Sequence, residues 1–163
     1  RLRPCEMGPL IEQAANLYRG RQSDIPLQKD IQGELPSIMV DPDQIQRVLI
    51  NLLENAFDSI EVGGSVKLHA QADIERSQLV IEICDEGNGI PLENKGHIFS
   101  PYFSTKFSGS GLGLAICHRI IHDHNGEITV RDNYPQGSIF RVSLPLVFSS
   151  PIPELLERTV AIG

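Results

Sequence analysis

The segment from Asp41 to Ile60 limits what this chain can fold into more than any other. Asp41-Pro42-Asp43-Gln44 is a helix start. The Asp41 carboxylate can accept from the free amides of the first turn, Pro42 suits the first helical position, and Gln44 completes a capping box. Ile45, Val48, Leu49, Leu52, Leu53, Ala56, Phe57 and Ile60 then keep a 3.6-residue period without a miss, and Gly63-Gly64 stops it. A helix with one unbroken apolar stripe needs a second layer to cover it.

The flanking sequence supplies that layer. Val66, Leu68, Ala70 and Ala72 alternate with polar residues, and residues 79–84 are apolar enough for a central strand. Upstream, Leu10, Ile11, Ala14, Leu17 and Tyr18 form a helical stripe ending near Gly20. Residues 25–31 alternate as a strand, and 37–40 read as a short extended piece. Downstream, a helix over about 111–125 carries Leu112, Ala115, Ile116 and Ile120 on one side and ends at Asn125-Gly126. Strands over 127–131 and 139–146 are joined across the turn Tyr134-Pro135-Gln136-Gly137. This order predicts an α+β domain, a two-layer α/β sandwich with helices on one face of a mixed sheet. Residues 1–148 form that domain, and 149–163, opening with two prolines, read as a tail or linker.

Composition narrows the function. Fourteen Lys and Arg against 21 Asp and Glu give a net charge of -7, which argues against a nucleic-acid or anionic-membrane surface. Cys5, Cys84 and Cys117 show no CxxC spacing, so neither a disulfide framework nor a thiolate zinc site is expected. No apolar run approaches the ~20 residues that cross a bilayer, and the start lacks a signal-peptide stretch. The expectation is a cytoplasmic protein.

Four groups of residues stand out. Asn51 and Asn55 sit one turn apart beside the apolar stripe, with Arg47 one turn earlier. Their carboxamide oxygens suit a hard cation, although such a pair is also an ordinary solvated helix face. Asp85 ends a buried strand just before Gly87, Gly89 and Ile90, where a carboxylate could accept from an exocyclic amine and glycines admit a flat base. An Asp-Gly turn is the plain alternative. Residues 85–113 lack periodicity and read as a lid or binding loop, mobile over 91–108. Within it, Phe99, Tyr102 and Phe103 are expected to anchor the loop, while Lys106 offers a positive charge. Gly109, Gly111 and Gly113, with Leu112, run into a helix, whose exposed amides make an anion site. No βαβ unit surrounds these glycines, so a dinucleotide fold is excluded. His118, His122 and His124 cluster at a helix end, with metal spacing but more simply as cations facing the helix dipole.

In this order and spacing, Asn51…Asn55, Asp85-x-Gly87-x-Gly89, Phe99…Phe103…Lys106 and Gly109-x-Gly111-x-Gly113 resemble the ATP-binding domain of sensor histidine kinases. That family belongs with gyrase, the heat-shock chaperone ATPases and the mismatch-repair ATPases. The resemblance covers about residues 25–146. Ile98-Phe99-Ser100-Pro101-Tyr102-Phe103-Ser104-Thr105-Lys106 and Asn55-Ala56-Phe57-Asp58-Ser59-Ile60 look like the nitrogen-regulation subgroup, which has a short lid.

The resemblance implies a Bergerat-type fold and the cofactors ATP and Mg²⁺. By it, Asn55 coordinates Mg²⁺ bridging the phosphates and Asn51 supports it. Asp85 accepts from the adenine amine, and Gly87 and Gly89 let the base in. Lys106 and the amides around Gly109, Gly111 and Gly113 hold the phosphates, and Ser138 stands near the adenine. Ile90 and Leu112 count with the nucleotide-binding residues, and Asn51, Asn55 and Lys106 form the catalytic set. The implied partners are a separate dimerisation and phosphoacceptor helical domain, whose histidine receives the γ-phosphate, and a downstream response regulator. Neither nucleic acid nor direct membrane contact is implied.

Two departures are visible. Asp58 stands where many relatives carry a basic residue, and Tyr102 where Phe is usual. None of His69, His97, His118, His122 or His124 has the context of a phosphoacceptor, so the chain looks like a catalytic module of a longer kinase. Two other functions fit the same motifs, a related ATPase or protein-serine kinase and a non-catalytic nucleotide-binding module. Relatives of the first kind tend to place a glutamate base at the position of Asn51, which cannot take a proton.

Overall fold

The computed structural model describes residues 1–19, 24–61, 63–103 and 112–146. The tail expected over 149–163 lies outside them. A five-stranded sheet carries strands in the order β2 (Leu27–Gln32), β4 (Val66–Asp73), β5 (Gln78–Asp85), β7 (Ser138–Pro145), β6 (Glu127–Asp132). β2 and β4 are parallel and every other neighbouring pair is antiparallel, so the sheet is mixed as expected. Helices α1 (Met7–Arg19), α2 (Pro42–Asp58) and α4 (Gly113–Asp123) supply the covering layer.

α2 forms where its sequence signals place it. The Asp41 side chain accepts from the amides of Asp43 and Gln44, which would otherwise be orphans of the first turn. Its stripe from Ile45 to Phe57 is buried, and Ile60, just past the helix, is buried too. The stripe rests on rows of side chains that cross the sheet in register. One row runs Ile31, Ala70, Ile81, Val142, Ile128, and the next runs Lys29, Leu68, Ile83, Phe140, Val130. Lys29 is the charged exception at the sheet edge, and it pairs with Glu12 of α1. The opposite face is polar, with the ion pair Arg131–Glu82 at 2.6 Å and a hydrogen bond between His69 Nδ1 and Asp30 Oδ2 at 2.9 Å.

Two elements depart from the sequence reading. β1 (Arg3–Glu6) pairs antiparallel with β3 (Ser37–Val40), making a separate two-stranded sheet, where only the second strand was expected. Arg3-Pro4-Cys5-Glu6 has no apolar alternation, so only its partner reveals it as a strand. The stretch after Asp85 also holds a short helix, α3 (Leu92–Lys95), tied to β6 by Lys95–Asp132 at 2.6 Å.

Candidate functional site

Alternation along β5 turns Leu79, Ile81, Ile83 and Asp85 to the same side of the sheet, the side that carries the core. Asp85 is therefore a carboxylate on an apolar row, only 2% exposed. A buried carboxylate is costly unless it is hydrogen-bonded. Its Oδ1 accepts from the backbone N–H of Gly87 at 3.0 Å and of Ser138 at 3.2 Å. Its main-chain oxygen accepts from Asn133 Nδ2 at 2.9 Å. The ends of β5 and β7 thus hold the acid in one orientation. Ser138 is 4% exposed and touches the acid through its backbone amide.

Glycine is required around the acid by the protein's own packing. A Cβ at Gly87 would lie 2.2 Å from Ser59 Oγ and 2.6 Å from the Ser59 carbonyl oxygen. One at Gly137, whose φ is +104°, would lie 1.9 Å from the Asp85 carbonyl oxygen. Gly89 has φ +74°, which L side chains rarely adopt. The close approach at Gly87 joins the strand end to α2. Ser59 accepts from the Asn88 N–H at 3.2 Å, and its own N–H donates to the Asn55 carbonyl oxygen at 3.2 Å.

Asn55 and Asn51 are both half-buried on α2, one and two turns before Ser59. Asn51 faces the start of α4: a Cβ on Gly113 would lie 4.0 Å from its carboxamide carbon and oxygen. One turn further along α4, burial pushes the Cys117 thiol up to about 11, opposed by the neighbouring Asn51 carboxamide and the Arg47 charge. The structure therefore brings Asp85, Gly87, Asn55, Asn51 and Gly113 into one continuous band, with Leu112 preceding Gly113. Ile90 packs against the core beyond Gly89. Lys106, Gly109 and Gly111 lie outside the described residues.

The loop aromatics behave differently from one another. Phe99 meets Phe140 edge-on at 6.3 Å, and both Phe99 and Phe103 pack on the core, as anchors should. Tyr102 is 77% exposed with φ +66°, so it anchors nothing among the described residues. Ile98, only 4% exposed, Phe99 and Phe103 depart from the expectation of a segment poor in core contacts, whereas Tyr102 and α3, which buries none of its residues, agree with it. The rest of that expectation, over 104–108, lies outside the described residues.

The histidine cluster is no metal site among the described residues. His118 and His122 stack on each other at 6.4 Å. His124 is buried, with Nδ1 2.7 Å from the Ile120 carbonyl oxygen and Nε2 3.0 Å from the Asp41 N–H. A carbonyl only accepts and an amide N–H only donates, so the ring is the neutral Nδ1–H tautomer. That removes His124 from the expected helix-end cations, while His122 does stand in the last turn of α4.

The donor set fits a phosphate-bound cation. Two carboxamides on α2 offer hard oxygens beside a glycine-led helix start, and the buried acid lies at the other end of the band. Ser59, Asn133 and Gly137 belong to the site and were not singled out from sequence. Gly137 lies in the turn at 134–137 and Ser59 in the Asn55–Ile60 run, but the contact of Ser59 with Gly87 has no signal in the sequence.

Residues 40–147 match a family model described as histidine kinase-, DNA gyrase B-, and HSP90-like ATPase. The alginate biosynthesis sensor protein KinB of Pseudomonas aeruginosa is 38% identical over 149 residues, covering 89% of this chain and 25% of KinB. This chain therefore spans about a quarter of that relative's length. The catalytic domain of histidine kinase ThkA superposes with TM-score 0.80 at 31% identity, covering 89% of this chain and 95% of that domain. ThkA has also been solved in complex with the response regulator protein TrrA, and there the TM-score is 0.77 at 29% identity, covering 90% and 42%. Full-length ShkA in complex with AMPPNP gives TM-score 0.80 at 28% identity, covering 91% and 32%.

Proposed function

The chain belongs to the histidine kinase-, DNA gyrase B- and HSP90-like ATPase family, and from that membership we propose that it is the ATP-binding catalytic domain of a sensor histidine kinase. In this reading it binds Mg-ATP and donates the γ-phosphate to a histidine on a separate dimerisation and phosphoacceptor domain. The observation that carries the reading is Asp85, a 2%-exposed carboxylate locked by two backbone amides at the end of a core strand. A fixed, desolvated acceptor of that kind suits the exocyclic amine of a purine.

Asn55, supported by Asn51, would hold the Mg²⁺. Once bound, the ion would neutralise phosphate charge. Gly113 at the start of α4, with Lys106, Gly109 and Gly111 before it, would add amides and a cation for the phosphates. Phosphoryl transfer rests mainly on such positioning and charge neutralisation. A carboxamide at position 51 cannot take a proton from water. Hydrolysis is therefore slow, and transfer to a nucleophile on another domain is favoured. The nucleotide analogue on ShkA and the response regulator on ThkA support the same ligand class and partner here. We place the domain over residues 1–148, in the cytoplasm, in the nitrogen-regulation-like subgroup. No helix among the described residues is long and apolar enough to cross a membrane.

The test is phosphotransfer in trans. The isolated chain with Mg-ATP should not label itself, and adding the helical phosphoacceptor domain of its own kinase should give acid-labile phosphohistidine on that domain. Stoichiometric self-labelling, or hydrolysis as brisk as a dedicated ATPase, would overturn the reading.

A further inference from the structure

Two contacts give the candidate site a direction along α2. The strand end that carries Asp85 touches the helix at Ser59, through Gly87. The glycine-led start of α4, where an anion would sit, touches it at Asn51, through Gly113. A nucleotide with its base at Asp85 and its phosphates at α4 must therefore run towards the N-terminus of α2, passing Asn55 and then Asn51. The next residue on that face is Arg47, one further turn along and about 12 Å of helix axis from Asn55.

We propose that Arg47 contacts the terminal phosphate of the bound nucleotide and makes the site prefer a triphosphate over a diphosphate. This rests on the nucleotide reading above and extends it to a residue outside the motifs. Arg47 is exposed, and among the described residues it has no hydrogen bond or ion pair. Asp43, one turn before it, forms no ion pair with it and so does not hold the guanidinium back. The Cys117 thiol, one turn after Gly113 on α4, donates to the Val48 carbonyl oxygen at 3.9 Å, so Arg47 lies one turn past Gly113 along α4, and an Arg side chain is long enough to span that turn back to the phosphate end of the band. An Arg guanidinium offers a planar fork matched to phosphate oxygens.

Binding of Mg-ADP and of the non-hydrolysable Mg-AMPPNP to the chain, by calorimetry at two salt concentrations, tests this. Arg47→Gln should weaken AMPPNP binding about tenfold and leave ADP binding within about twofold. Arg47→Lys should recover part of the preference. The ratio of the two affinities should fall with added salt in the wild type and stay flat in Arg47→Gln. Equal losses for both nucleotides, or no loss for either, would overturn the role of Arg47 while leaving the nucleotide site standing. A wild-type chain that binds neither nucleotide would overturn both.

Discussion

The Nε2 atom of His124, at the C-terminal end of α4, accepts the backbone N–H of Asp41, the residue that caps α2, at 3.0 Å. Asp41 and His124 are 83 positions apart, and the bond joins the two helices that carry Asn51, Asn55 and Gly113. Replacing the ring leaves a part-buried donor without its acceptor. His124→Phe, which keeps the bulk, should lower stability by about 1–3 kcal/mol. Urea unfolding would check it, and an unchanged midpoint would show that the bond contributes nothing.

Asp85 and Asn55 should separate in binding experiments. A hydrogen bond to a charged acceptor contributes ~1.5–3 kcal/mol, so Asp85→Asn should weaken ADP affinity ~10- to 100-fold. Asn55→Ala should chiefly remove the gain in affinity that Mg²⁺ brings. Calorimetry with and without Mg²⁺ distinguishes these outcomes. Undiminished ADP affinity in Asp85→Asn would remove that residue from the base site.

The glycines around Asp85 should differ sharply in tolerance. At Gly87 a methyl group meets Ser59 at 2.2 Å, and at Gly137 it meets the Asp85 backbone at 1.9 Å. At Gly96 nothing lies within 4 Å. Gly87→Ala and Gly137→Ala should each cost roughly 1–3 kcal/mol or more through overpacking, with added left-handed strain at Gly137. Gly96→Ala should be close to neutral. Thermal melts of the three variants suffice, and equal melting temperatures would refute the packing account.

Burial raises the Cys117 thiol from an ordinary 9.0 to about 11, so the folded state favours the neutral form. The stability this brings is complete below pH ~9, where the unfolded thiol is also neutral, and falls as pH rises towards about 11. Denaturation at stepped alkaline pH should show that loss in the wild type and a smaller one in Cys117→Ala. At pH 8, a thiol reagent should modify half-exposed Cys5 well before Cys117. Matching rates for the two would contradict the burial argument.

Much of this protein is written locally. The Asp41 cap and the Ile45–Ile60 stripe determined α2, because capping and periodicity depend only on near neighbours in the chain. Alternation determined the core side of β4, an apolar run marked β5 as a central strand, and motif spacing marked Asn51, Asn55, Asp85 and Gly113. Tertiary structure decided what no short window contains. Arg3–Glu6 is a strand only because Ser37–Val40 lies beside it. Asp85 is locked by Ser138, 53 positions away, and Gly87 is glycine because Ser59 presses on it. His124 takes a neutral tautomer because its acceptor faces an amide of another helix. Such roles arise from hydrogen bonds and steric contacts between distant segments, and those exist only once the chain has packed.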